Sequence, residues 1–325
     1  MSGIPSTHGS KATPPTGRRD QPEPSRGRAA GSRAGGVLLY VIAYIGLFVG
    51  GQAGGPAGAA VSFVVAMVLT WFAAKLLLRA KRHAAPTAQM LLARDQRPPV
   101  AYFRSFVADR TARKGATFTS WFTEEEQIAR SMKDVGPFVA IGAPGESLPE
   151  LGAARLYATD DEWRQVVHTL TARARVVILR LGSSPGFMWE FENVLRWVRP
   201  EQIVLLVPLD DPLYEDFRQR SRALMPHELP PLISRRRRRL FRGSLRAVIT
   251  FDSNWAPTVI DLLTISLPLL RRSPAYPLVP VLRVAFGPLF RQLGLPWKPP
   301  GHSGRMIVTI VSLLVMIWAL VVLYA

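Results

Sequence analysis

Three apolar blocks constrain the fold of this 325-residue chain more than any other feature of its sequence. They cover residues 37–50, residues 59–78, which are interrupted only by Lys75, and residues 306–325. A helix needs about 20 mostly apolar residues to cross the hydrocarbon core of a bilayer, and flanking glycines bring the first block near that length. The blocks therefore predict a transmembrane helical hairpin over residues 37–82 and a C-terminal transmembrane helix over residues 306–325.

The charges beside these blocks predict their orientation. The charged residues before the first block are mainly basic, the turn at residues 51–58 is uncharged, and Arg79, Lys81 and Arg82 follow the second block. Because cytoplasmic flanks carry the excess of Lys and Arg, we expect a multi-pass protein of the inner (plasma) membrane with its main domain in the cytoplasm. The alternative, a hairpin buried in a soluble domain, is disfavoured because both helices are apolar on all sides.

The N-terminal segment, residues 1–36, has a different composition. It is rich in Pro, Gly, Ser and Arg and has almost no large apolar residue. Such a segment cannot bury enough apolar surface to offset the entropy lost on ordering. We therefore predict a disordered basic tail.

The overall charge of +18 indicates an anionic partner. The arginine run from Arg235 to Arg239 is interpreted either as a solvated loop that strengthens the topology or as a patch for an anionic lipid surface. No specific nucleic-acid partner is expected, because aromatic interleaving and a recognition motif are missing. The chain has no cysteine and its five histidines lack metal-ligand spacing, so no metal site is predicted.

Short β-branched runs between the hairpin and the last block predict a parallel α/β domain over residues 98–255. Most are closed by Gly or Pro and separated by segments of helical length, among them a helix that begins with the capping box of Thr123 and Glu126. The five predicted strands are residues 99–106, 137–141, 176–179, 203–207 and 247–251. Right-handed crossovers then predict a flavodoxin-like open parallel sheet, whose ligand crevice lies beyond the carboxyl ends of its strands.

Residues 256–305 carry many prolines among apolar residues and several arginines. Proline disrupts both helix interiors and central strands. This composition predicts a membrane-proximal segment that lies along the membrane surface.

Four motifs in this domain resemble those of bacterial membrane-anchored proteins with a TIR-like (TIR/SEFIR-type) cytosolic domain. The resemblance covers residues 98–208, and its motifs are residues 104–106 (RSF), 139–146 (VAIGAPGE), 151–157 (LGAARLY) and 186–190 (GFMWE). It implies a sheet of strand order 2-1-3-4-5 with a pocket above its first three strands. Some TIR domains cleave NAD at the nicotinamide–ribose bond, and others are self-associating adaptors that use the loop after the second strand.

The resemblance also implies a catalytic carboxylate on the helix after the third strand. Glu190, which directly follows Trp189, matches the Trp-then-Glu element, and Glu192 is the alternative. A carboxylate beside the ribose hydroxyls can stabilise an oxocarbenium-like transition state, as in glycosidases. No cofactor is required, since NAD itself is the implied substrate.

Further residues fit the binding of such a nucleotide. Gly142 and Gly145 would let backbone amides approach a pyrophosphate. Either Arg104 or Arg155 could balance the phosphate charge. Stacking on a base or on nicotinamide would fall to Tyr157 or Trp189. The alternatives are an ordinary turn at the two glycines, a core position for Trp189, and a salt bridge from Arg155 to a neighbouring aspartate.

Two hypotheses follow for function. The first is a membrane-anchored TIR-like signalling or defence protein that binds, and as an NAD glycohydrolase hydrolyses, NAD or a related nucleotide. The second is a non-enzymatic adaptor that self-associates or recruits partners at the cytoplasmic membrane face through residues 142–157. A transporter or channel is disfavoured, because the spans carry no acid or base beyond Lys75.

Overall fold

A computed structural model describes residues 25–53, 55–105, 122–142, 151–159, 161–232, 244–267 and 277–295. Several sequence-based predictions lie wholly or partly outside these described residues. They concern most of the N-terminal tail, Gly145 with residues 143–150 of the predicted self-association loop, the run from Arg235 to Arg239, residues 268–276 and 296–305, and the C-terminal block at residues 306–325.

The described chain begins with two long helices, α1 (Arg26–Ala53) and α2 (Gly55–His83). Both are long and apolar enough to cross a membrane, and little of either is buried. Helix α1 starts at Arg26 rather than at Val37, so the end of the predicted disordered tail is helical. The reason is tertiary: the Ser25 amide donates to the His83 carbonyl oxygen at 3.0 Å, and Ala29 is buried.

Small residues that recur every seven positions form the seam between α1 and α2. Seven is the repeat that keeps one stripe of a helix facing a partner in a left-handed pair. Small side chains on that stripe let two backbones approach closely, and a side chain on Gly36 would lie only 2.9 Å from Cγ of Leu77. The residues of the seam are Ala29, Gly36, Ala43 and Gly50 on α1 and Ala66, Ala73 and Ala80 on α2.

The seam can be tested with two glycines of α1. We expect Gly50→Ala to destabilise the hairpin by about 1–3 kcal/mol, because its Cβ would lie 2.7 Å from the Ser62 Cβ. Gly46→Ala, where a Cβ meets nothing within 4 Å, should be neutral or stabilising through its better helix propensity. Thermal unfolding of the full chain in detergent measures the difference. Equal effects of the two variants would contradict the seam.

Beyond a short helix, α3 (Ala88–Arg94), the chain forms one sheet of seven strands in the order β3-β2-β1-β4-β5-β6-β7. Strands β1 to β5 are parallel, whereas β6 runs antiparallel to β5, and β7 antiparallel to β6. The strands are β1 (Val100–Arg104), β2 (Phe138–Ile141), β3 (Ala154–Leu156), β4 (Val176–Arg180), β5 (Ile203–Pro208), β6 (Leu245–Phe251) and β7 (Pro257–Asp261).

This sheet confirms the α/β prediction and corrects it at one edge. The five predicted strands correspond to β1, β2, β4, β5 and β6, and they lie in the expected order. The fifth, however, is antiparallel, and β3 and β7 were not predicted as strands. The Leu209 amide donates to the Ser244 carbonyl oxygen at 2.7 Å. The chain therefore re-enters the sheet at the edge where β5 ends, which makes the pair antiparallel.

The described residues form six α-helices after α3: α4 (Glu124–Met132), α5 (Trp163–Arg173), α6 (Pro185–Trp197), α7 (Asp211–Ser221), α8 (Leu278–Ala285) and α9 (Gly287–Gln292). Helices α4, α8 and α9 cover one face of the sheet, and α3, α5, α6 and α7 cover the other. After β1 the chain continues to β2 on one side of β1, and after β3 it crosses to β4 on the other side of β1. Crossovers of one hand therefore place α4 and α5 on opposite faces of the sheet.

Helices α8 and α9 correct the prediction for residues 256–305. The described residues of this segment are not irregular but add β7 to the sheet and two helices to the core beside α4. Their buried apolar residues repeat at three- and four-residue spacing, as in an amphipathic helix: Leu278, Val281, Leu282, Ala285, Phe286, Leu289 and Phe290. The prolines within α8 and α9, Pro280 and Pro288, lie in the first turns of their helices, where a missing amide proton is tolerated.

Candidate functional site

The candidate site is the carboxyl edge of the sheet around β1, where the chain reverses its direction of travel through the sheet. In open α/β sheets such a reversal leaves a crevice beyond the strand ends. Here β1 lies between β2 and β4, and Arg104 is paired with Arg180 at the ends of β1 and β4. Directly after these residues, Ser105 and Gly182 approach so closely that a Cβ on Gly182 would lie 2.4 Å from the Ser105 Cβ.

This close approach gives a second test by substitution. Gly182→Ala should destabilise the domain by about 1–3 kcal/mol through steric overlap with Ser105. Gly186→Ala is the matched control, because its nearest neighbour would be a Trp163 ring atom at 3.9 Å. Ser105→Gly combined with Gly182→Ala should restore stability. Urea unfolding measures all three variants, and failure of the double variant to recover would exclude the steric explanation.

Glu125, in the first turn of α4, is a buried carboxylate that pairs with two arginines on the α4 side of this edge. Its Oε2 lies 2.9 Å from Nη1 of Arg104, and its Oε1 lies 2.9 Å from Nη2 of Arg155. The Ala153 amide donates to Oε1 at 2.9 Å. All three charged side chains are buried. The structure therefore brings the two predicted phosphate-binding arginines together, but around a carboxylate of the protein itself.

Glu124, the preceding residue, contacts residues at the ends of two other strands. It forms an ion pair with Arg180 at the end of β4 and accepts a hydrogen bond of 2.6 Å from the Ser244 amide before β6. Arg180 also donates to the Ser244 hydroxyl at 2.6 Å. We call Glu124 and Glu125 the acidic pair of α4, because together they tie the ends of β1, β3, β4 and β6 to one helix.

The acidic pair was missed at the level of sequence. Its only signal was the capping box, which the structure confirms: Glu126 accepts from the Thr123 amide at 2.8 Å, and the Thr123 hydroxyl accepts from the Glu126 amide at 3.1 Å. Acidic residues in a first turn are usually explained by the helix dipole. The dipole explanation gives no indication that Glu124 and Glu125 contact residues of strands that are distant in sequence.

Gly142 and Tyr157 pack against each other. A Cβ on Gly142 would lie 2.4 Å from Cε1 of the Tyr157 ring. The Gly142 amide donates to the Leu156 carbonyl oxygen at 2.8 Å and so extends the pairing of β2 with β3. Glycine at position 142 allows the close approach of the Tyr157 ring, and its amide is already hydrogen-bonded within the sheet.

Glu190 and Glu192 have opposite environments on α6. Glu190 is buried on the side of α6 that carries Phe187, Phe191 and Val194. Its Oε2 has no hydrogen-bond partner within the described part of the chain, and burial raises the pKa of this carboxyl to about 8. Glu192 is half-exposed and lies 2.5 Å from Arg196 one turn later. Residues two apart on a helix point in different directions, and of these two only Glu190 is buried.

Trp189 belongs to a cluster that joins α5 to α6. Its ring centroid lies 4.5 Å from that of Trp163 and 6.2 Å from that of Trp197, both edge to face. The guanidinium of Arg164 lies 5.4 Å from the Trp189 centroid, within cation–π range. We call Trp163, Trp189 and Trp197 the tryptophan cluster. Trp197 is exposed, and the other two are half-buried.

The sheet thus divides the predicted site into two halves. Arg104 and Arg155 lie on the α4 side with the acidic pair, whereas Glu190 and Trp189 lie on α6, which packs on the other side. Within the described residues, no group of acidic or histidine side chains could hold a metal ion. Comparisons of the chain with family models, with curated proteins and with solved structures find no match. The TIR-like resemblance therefore stays a prediction.

Proposed function

We propose that the chain is a membrane-anchored signalling or defence protein whose TIR-like α/β domain acts as an interaction module. It works at the cytoplasmic face of the inner membrane and associates with a second copy of itself. The hairpin α1–α2 and the C-terminal block at residues 306–325 are its proposed anchors, and the run from Arg235 to Arg239 is its proposed contact with anionic lipid.

Two features of the fold support a flavodoxin-like, TIR-like domain. The order β2-β1-β4-β5-β6 is the order 2-1-3-4-5 of the five predicted strands. The helix after the first strand, α4, lies on one face together with the C-terminal helices, and the helices α5, α6 and α7 share the other face. This split follows from right-handed crossovers on both sides of β1.

The observation that carries the proposal is the engagement of Arg104 and Arg155 by Glu125. A phosphate-binding site needs cations that face a ligand, and both arginines that were predicted for this task contact a buried carboxylate. A nucleotide would have to compete with Glu125 for them. An interaction module has no such requirement, because its affinity comes from exposed anchors such as tryptophan.

The tryptophan cluster is the proposed surface of self-association. Tryptophan is enriched at the energetic centres of interfaces, and Trp197 is 38% exposed on the outer side of α6. We expect the full chain in nanodiscs to dimerise, as measured by light scattering, and Trp197→Gln to weaken the dimer at least tenfold. Leu224→Gln, which removes another exposed apolar side chain far along the sequence, is the matched control. A chain that is monomeric at all concentrations would overturn the proposal.

A second candidate, an NAD glycohydrolase, rests on one observation. Glu190 is a buried carboxyl whose Oε2 has no hydrogen-bond partner among the described residues and whose pKa is raised to about 8, and such acids are concentrated in active sites. The test is release of nicotinamide from NAD by the full chain. Loss of turnover in Glu190→Gln but not in Glu192→Gln would establish this candidate, and absence of turnover across a panel of nucleotides would eliminate it.

A further inference from the structure

We infer that the cytoplasmic end of the α1–α2 hairpin binds the phosphate headgroups of anionic lipids. The surface is a ring of cations that we call the basic collar: Arg26, Arg28 and Arg33 of α1 with Arg79, Lys81 and Arg82 of α2. This inference rests on the proposed membrane placement of the hairpin. It concerns residues other than the arginine run after α7.

The antiparallel pairing of the helices brings these cations together. The Ser25 amide donates to the His83 carbonyl oxygen at 3.0 Å, so the start of α1 lies beside the end of α2. At the other end of the hairpin, Gly50 faces Ser62 and Gly58, and no charged residue lies between positions 34 and 74. All charge of the hairpin is therefore positive and confined to one end.

Within the described part of the chain, the collar is largely exposed and forms no salt bridge. Arg26, Arg28, Arg33, Arg79 and Lys81 are exposed, and no member of the collar forms a salt bridge with an acidic side chain among the described residues. Lys81 instead lies 4.5 Å over the ring of Phe122. Two arginines at the N-terminus of α1 also face the positive end of its dipole. An external anion would relieve both the repulsion between the cations and this unfavourable dipole.

The collar lies at the depth of lipid headgroups. On α1 the exposed apolar side chains begin at Val37, one turn after Arg33. On α2 they end near Trp71, whose ring carries the Lys75 ammonium at 3.5 Å. Tryptophan and snorkelling lysine are typical of the membrane–water interface, and the collar comes directly after it. Acyl chains can cover the apolar sides of this hairpin while their own phosphates reach the collar, which no soluble anion can do.

The test uses the full chain in detergent, titrated with short-chain phosphatidylglycerol, phosphatidylcholine or glycerol phosphate, with binding read from native mass spectrometry. We expect tighter binding of phosphatidylglycerol than of the other two. Each arginine removed should weaken it on the order of fivefold, so Arg26→Gln with Arg28→Gln should lose on the order of 25-fold. Arg220→Gln with Arg222→Gln, two arginines of the α7 region that already pair with acids, is the matched control.

Three results would overturn the inference. The first is equal affinity for phosphatidylglycerol and phosphatidylcholine, and the second is equal affinity for phosphatidylglycerol and glycerol phosphate. The third is an equal loss of phosphatidylglycerol affinity in the collar and control variants. Alkaline carbonate extraction of membranes that contain the full chain is measured in parallel. A chain released into the soluble fraction would refute the membrane placement itself. A chain retained in the membrane without lipid selectivity would refute headgroup binding alone.

Discussion

Glu125→Ala is expected to lower the free energy of unfolding of the α/β domain by about 3–5 kcal/mol, the usual cost of removing one partner from a buried ion pair. The glutamate contacts Arg104 and Arg155 at 2.9 Å each, and the Ala153 amide donates to it. Its removal deprives two buried guanidiniums of the carboxylate between them. Domains are stable by only about 5–15 kcal/mol in total, so the loss would be a large share of the whole.

Urea unfolding of the full chain in detergent, followed by tryptophan fluorescence, measures this loss. Glu192→Ala is the control, since it removes a half-exposed carboxyl of an i,i+4 pair whose worth is below about 1 kcal/mol. Glu125→Gln should fall between the two, because it keeps the shape and one acceptor oxygen but loses the charge. Equal unfolding midpoints for Glu125→Ala and Glu192→Ala would show that the acidic pair does not hold the strand ends.

The second large effect concerns the dependence of stability on pH. Burial raises the pKa of Glu190 to about 8 from an ordinary value of 4.5, so the folded chain keeps a proton that the unfolded chain releases. The unfolded state is therefore favoured increasingly as pH rises between these two values, and the folded state loses about 3 kcal/mol from this group by pH 7. Glu190→Gln cannot ionise and should be more stable than the parent at neutral pH.

The check is a set of unfolding midpoints for both chains between about pH 5 and about pH 8. The advantage of Glu190→Gln should grow across this range and level off above it. Glu192→Gln, on the same helix, is the matched control. An advantage that does not change with pH would refute the raised pKa. If Glu190→Gln is more stable than the parent and has lost NAD hydrolysis, the result would be the trade-off between stability and activity that is expected of a strained active-site acid.

Local patterns in the sequence predicted much of the fold. Four of the five predicted strands are short runs rich in β-branched residues, and the order of the five is the one that the resemblance implied. The capping box of Thr123 and Glu126 was predicted from two residues, because capping depends on near neighbours. Helices α8 and α9 also had a local signal, the three- and four-residue spacing from Leu278 to Phe290, but prolines were given more weight than this spacing.

The candidate site was predicted less well, because its contacts join distant parts of the chain. Nothing near Glu125 indicates that it meets Arg104 and Arg155 from other strands, since such pairing depends on how α4 packs on the sheet. The antiparallel pairing of β6 with β5 likewise brings together residues far apart in sequence, such as Leu209 and Ser244. Glu190 was predicted from a motif, but its burial, with no hydrogen-bond partner for Oε2 in the described part of the chain, could be learned only from the fold.

Helix α4 begins close to the end of the hairpin. Lys81, at the end of α2, contacts the Phe122 ring just before the Thr123 cap, and two residues later the acidic pair grips the ends of β1, β3, β4 and β6. In the proposed membrane placement, a tilt or rotation of the hairpin would act on the capped end of this short helix through the contact between Lys81 and Phe122. Helix α4 would then transmit movement of the hairpin to the strand ends that the acidic pair contacts.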